Sequence, residues 1–162
     1  MITHKTRQSG WTYEKDLWDR LSTAGRDLSW KNLSFDENSR HLVPEHDGGV
    51  YLICAKPPPG FVEPVPVYTV LYAGKVESTE HGLRRRFLEH LRRPSPILRI
   101  FRLCYFPHLY FWCVAIHDQS RISEIEALLI ETFNPPCNQR RAPGTDVLLA
   151  KIGIGQKLAL SV

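Results

Sequence analysis

Apolar residues between positions 11 and 33 fall at Trp11, Leu17, Trp18, Leu21 and Leu28. Those intervals are close to the helical repeat and predict an amphipathic helix from about Thr12 to Ser22, ahead of a polar loop rich in Asp, Asn and His. The pattern then changes period. The stretches 49–56 and 67–76 are β-branched and aromatic, separated by Pro57-Pro58-Pro59-Gly60 and by Pro64 and Pro66, and predict a β-hairpin with a long, stiff loop. A helix is expected from about 82 to 93, stopped by Pro94 and Pro96, with 97–106 as a further helical stretch. From 109 to 116 both alternate sets of positions are apolar, the pattern of a strand buried on both faces. The last readable element is a helix from about 121 to 133, with Ser120 or Ser123 as its cap and Pro135-Pro136 as its stop.

That order of elements implies an α/β (α+β) domain, a small three-stranded sheet flanked by helices. We expect three segments: an N-terminal helical extension (1–47) packing its tryptophans on the domain, the domain itself (48–141), and a C-terminal tail (142–162). The Gly153-Ile154-Gly155 of the tail has neither the preceding strand nor the acidic partner of a dinucleotide site.

Composition narrows this further. A chain of 162 residues with 43% hydrophobic and 23% charged residues suits one domain with a substantial core. It contains neither a membrane-spanning apolar run nor a secretion signal, so a cytoplasmic protein with no membrane partner is expected. Cys54, Cys104, Cys113 and Cys137 are too far apart for a zinc knuckle and read as buried free thiols. The net charge of +4 is unevenly spread: residues 1–48 hold seven Lys/Arg against eight Asp/Glu, and residues 49–162 hold fourteen against nine. Seven arginines lie between Arg84 and Arg102 with Glu89 as the only acid. Such a patch either binds a phosphate backbone or forms a solvated helix face.

Two helices carry candidate chemistry. On the 121–133 helix, Ile122, Glu126, Leu129, Ile130 and Phe133 share one stripe. A carboxylate there must be protonated, paired with an arginine or bound to a metal ion, unless it snorkels to water from the edge of the stripe. On the 82–93 helix, Leu83, Phe87 and Leu91 form the core stripe, with Arg86 and His90 running beside it four residues apart. A guanidinium and an imidazole at that rim are placed to grip one phosphate, although a lone structural histidine is the commoner fate of such a residue. In the hairpin, Tyr51 and Tyr72 are aromatic strand residues of the kind that usually pack in a core. The glycines beside them leave room for a ligand to approach the ring hydroxyls.

The ordered set Gly49-Val50-Tyr51, Tyr72-Ala73-Gly74-Lys75, Arg86 with His90, Glu126 and Pro135-Pro136-Cys137-Asn138 spans 90 of the 162 residues and resembles the GIY-YIG nuclease superfamily. The resemblance implies a small fold with a three-stranded antiparallel sheet and a DNA endonuclease that hydrolyses phosphodiester bonds with one divalent cation. It implies Glu126 as the single carboxylate holding Mg²⁺ (or Mn²⁺), and Tyr51 as general base or its close partner, with His90 as proton relay. Arg86 would stabilise charge on the phosphate, Tyr72 would orient phosphate or water, and Asn138 would fix the geometry. Lys75, Arg84, Arg85, Arg92, Arg93, Arg99, Arg140 and Arg141 are the expected nucleic-acid contacts; alternation places Lys75 on the strand face opposite Tyr72. Ala73 stands where the family usually has a branched residue. A homodimer cutting both strands, a silent nucleic-acid-binding module of the same fold and an RNA-directed nuclease are the readings left open.

Overall fold

A computed structural model describes residues 6–8, 11–13, 15–56, 68–77, 82–105 and 107–138, with backbone alone for the first two stretches and for 104 and 105. The expected 57–66 loop, the 142–162 tail, and Arg140 and Arg141 lie outside the described residues.

The chain opens with a two-stranded antiparallel hairpin, β1 (Thr6–Gln8) and β2 (Trp11–Tyr13). Helix α1 follows at Lys15–Ala24, so the expected start at Thr12 falls in a strand instead. Strand β3 (Lys31–Ser34) and a 3₁₀ turn over Glu37–Leu42, capped by the Asp36 carboxylate on the Ser39 amide, lead to the hairpin β4 (Gly49–Ala55) and β5 (Thr69–Val76). Then come α2 (Leu83–Arg92), α3 (Pro96–Tyr105), β6 (Leu109–Ala115) and α4 (Gln119–Phe133).

Four antiparallel strands form the main sheet in the order β3-β6-β4-β5, so the fold is α+β with one strand more than the sequence pattern predicts. The extra strand is β3, in which only Leu33 is partly buried. As an edge strand it needs no apolar alternation: Leu33 pairs with Phe111, and the β6 backbone supplies the hydrogen bonds. The segment before residue 48 therefore gives the sheet a strand, and it also gives the core Phe35 and Val43, 3% and 0% exposed.

Alternation along the inner strands separates two cores. Tyr51, Ile53, Phe111 and Cys113 face α2 and α3, packing on Leu83, Phe87, Leu91 and Leu98. Val50, Leu52, Ala73 and Val114 face α4, packing on Ile122, Ile125 and Leu129, with Leu21 and Ala24 of α1 at the periphery. Gly49 is required at the start of β4: its φ of 155° is in the region side chains avoid, and a Cβ would run into the Val114 carbonyl. Cys54 and Cys113 are buried free thiols and Cys137 is a half-buried one; the side chain of Cys104 is outside the described residues.

Local chemistry sets the helix ends. No side chain caps α2; the Leu83 and Arg84 amides donate to the Asp47 and Pro44 carbonyls at 3.1 and 2.9 Å, fastening this helix to the preceding segment. The cap of α4 is Asp118, neither Ser120 nor Ser123, and accepts from the Ser120 amide at 3.0 Å. Asn134 ends α4 in the left-handed conformation, with its amide on Ile130. No helix among the described residues is long and apolar enough to cross a membrane.

Candidate active site

At the outermost strand, β5, the two faces of the sheet open into one cleft of about 460 Å³, lined by Tyr51, Tyr72, Lys75, Arg86, His90 and Glu126 together with Val76 and Glu77. Tyr51, Tyr72, Arg86 and His90 reach it from the α2 face, and Lys75 and Glu126 from the α4 face. Alternation puts Lys75 across the sheet from Tyr72, and the cleft joins them because β5 is the last strand.

On the α2 side, Tyr51 is 2% exposed and lies between three aromatic neighbours. Its ring stacks on Phe111 at 5.2 Å between centroids and on Tyr72 at 5.9 Å, and its hydroxyl is 2.9 Å from His90 Nε2. Gly74 makes this possible: a Cβ there would stand 2.6 Å from both Cζ and Oη of Tyr51. Burial first, then the adjacent Tyr72, pushes the Tyr51 phenol well above its usual range. Burial, helped by the Arg86 guanidinium, pulls the His90 imidazole down to about 4. Near neutral pH the pair therefore consists of a neutral phenol and a neutral imidazole. Arg86, one turn before His90, is held by Glu89 at 2.7 Å, with half of its side chain exposed toward the cleft.

On the α4 side, Glu126 is 22% exposed and flanks the buried stripe of Ile122, Ile125, Leu128 and Leu129. Burial raises its carboxyl while Lys75 opposes the rise. Among the described residues its cationic neighbour is Lys75 Nζ at 3.6 Å, a lysine where the sequence left an arginine pairing open. Lys75 is also bonded to Glu77 at 2.6 Å and to Ser123 Oγ at 2.8 Å.

The resemblance implies a divalent cation at Glu126; that carboxylate is partly buried, with the Lys75 ammonium 3.6 Å away and the oxygens of Glu77, Tyr51 and Tyr72 lining the same cleft. Among the described residues no group of three or more His, Cys, Asp or Glu is placed to hold a metal ion. Of the residues named for it, Glu126 alone would be a protein ligand to such a cation.

Other expected residues stand elsewhere. Asn138 does not line the cleft; its amide pairs with both backbone groups of Ala73, at 2.6 and 2.8 Å, covering the edge of β5. Arg84 is turned away, bonded to the Val43 and His41 carbonyls and to Glu45. Arg85 binds Glu89 and Arg92 binds Glu37. With Arg84 and the exposed Arg93 they line a second hollow on the outer side of α2, shared with Glu45 and Glu89. Arg99 is exposed on α3. Local pattern marks Ser123 only as a cap and does not mark Glu77, which follows Lys75 by two residues, just past the end of β5.

Fold and cleft together define an α+β protein with a half-buried carboxylate facing a tyrosine–histidine pair across a sheet edge. Comparison with models of protein families, with curated proteins and with solved structures finds no match for this chain.

Proposed function

We propose that this chain is a metal-dependent DNA endonuclease of the GIY-YIG kind. The observation that carries the reading is the Tyr51–His90 hydrogen bond of 2.9 Å facing Glu126, with Arg86 beside it, in one cleft open to a phosphate backbone. In this reading Arg86 holds the scissile phosphate by its fork of donors and offsets the charge that grows on it. Glu126 would hold the divalent cation. When bound, that cation supplies charge stabilisation to the phosphoryl oxygen and the leaving 3′ oxygen. Tyr51 takes a proton from the attacking water as it passes its own to His90, whose Nε2 lies 2.9 Å from the Tyr51 hydroxyl. The water oxygen bonds to phosphorus as the bond to the 3′ oxygen breaks, and the 3′ oxygen takes a proton from solvent. Tyr72 orients the phosphate or the water. Exposed arginines of α2 and α3 guide the duplex, in a cytoplasmic enzyme that cuts both strands as a homodimer.

The test is cleavage of duplex, flap and branched DNA by the full chain with Mg²⁺, beside Tyr51→Phe, Arg86→Ala and Glu126→Gln. Each variant is expected to fold and to lose roughly a hundredfold or more in rate. No cutting of any DNA form, or a Glu126→Gln variant as fast as wild type, overturns the proposal. Sequencing the ends separates the settings: a constant sequence at the cut marks a restriction-type enzyme, and a constant geometry marks a structure-specific one.

A further inference from the structure

The Lys75 ammonium is shared unequally among three oxygens: Glu77 Oε1 at 2.6 Å, Ser123 Oγ at 2.8 Å and Glu126 Oε2 at 3.6 Å. The first two are hydrogen bonds, and the third is an ion pair beyond hydrogen-bond length. Ser123 in turn donates to Glu77 at 2.8 Å, so Glu77 and Ser123 form a seat for the ammonium that does not need Glu126. Glu126, less exposed than Glu77 (22% against 53%), gains the more from a nearby positive charge.

We propose that Lys75 is an internal counter-ion that competes with the divalent cation for Glu126 and withdraws onto Glu77 and Ser123 when the cation binds. This rests on the proposed reading for the identity of the cation site, and it adds a control on occupancy. The ammonium neutralises Glu126 while the cleft is empty of metal. It also opposes a dication entering beside it, by the repulsion of three charges brought within a few ångströms. Glu77 acts in the opposite sense, since its carboxylate draws the ammonium off Glu126. Lys75 and Glu77 are thus positioning residues that tune metal affinity without themselves being ligands.

The experiment is a Mn²⁺ titration of the full chain without DNA, following free Mn²⁺ by electron paramagnetic resonance. Wild type is compared with Lys75→Met, Lys75→Arg, Glu77→Gln, Glu126→Gln and the Lys75→Met/Glu126→Gln double variant. Lys75→Met is expected to bind Mn²⁺ roughly tenfold more tightly than wild type, Lys75→Arg about as wild type, and Glu77→Gln several-fold more weakly. Both variants carrying Glu126→Gln are expected to lose this site. Equal or weaker binding by Lys75→Met, or binding that survives Glu126→Gln, overturns the proposal. DNA cleavage is read separately. Tighter binding by Lys75→Met with no DNA cut leaves the exchange standing and removes the nuclease reading, and cleavage with unchanged Mn²⁺ affinity does the reverse.

Discussion

Acidification from neutral pH is expected to weaken the fold through His90, by an amount the structure supplies. Its imidazole is held at about 4, against an ordinary value of 6.5, first by burial and then by Arg86. Above 6.5 both the folded and the unfolded chain carry it neutral, and it adds no pH dependence. Between 6.5 and about 4 the unfolded chain takes up a proton that the folded chain refuses, so stability falls as pH falls. Below about 4 both are protonated and the loss is complete. At 1.36 kcal/mol per pH unit, the gap corresponds to about 3 kcal/mol. The assay is urea unfolding of wild type and His90→Gln at steps between about pH 7 and about pH 4. Carboxylates common to both proteins add the same background, so the difference between the two curves isolates the imidazole. It should shrink by about 3 kcal/mol across that interval, because His90→Gln has no proton to gain. Parallel curves would refute the argument and place His90 in a more hydrated setting than its packing against Tyr51 and Tyr72 implies.

Gly74→Ala should displace the Tyr51 ring, costing about 1–3 kcal/mol, and a shifted Tyr51 environment in near-ultraviolet circular dichroism would check it. Asn138→Ala leaves the amide and carbonyl of Ala73 without their partner and should cost about 1–3 kcal/mol, measured by thermal unfolding. Arg84→Ala should lower stability by about 1–2 kcal/mol through loss of its clasp on residues 41–45 while leaving DNA affinity intact. Arg86→Ala should do the opposite, and paired unfolding and DNA-binding measurements distinguish the two.

Much of the architecture follows from local periodicity. The Leu83, Phe87 and Leu91 stripe marks α2 and its rim residues, and the filled alternation at 109–116 marks a strand covered on both sides. What local pattern did not reveal depends on partners distant in sequence. Lys31–Ser34 has almost nothing to bury and is a strand only because Phe111 and its neighbours offer a free edge. Arg84, read as a backbone contact from its place in a basic run, is captured by carbonyls more than forty residues earlier. Alternation placed Lys75 correctly on the far face, yet the cleft exists because the sheet ends at β5, which no single strand announces. Likewise Asn138 sits beside Ala73 because Asn134 turns the chain back after α4.

Because the two halves of the cleft hang from different cores, they can fail independently. Tyr51, Arg86 and His90 are held by the packing around Phe87 and Phe111, whereas Glu126 and Lys75 depend on the packing of Ile122, Ile125 and Leu129 against Ala73 and Val114. In the proposed reading, damage to one core would remove proton handling and spare cation binding, and damage to the other would do the converse. Under the proposed nuclease function, divergence of this chain would have two separate routes to loss of cutting, each leaving its own half of the cleft as a record of the route taken.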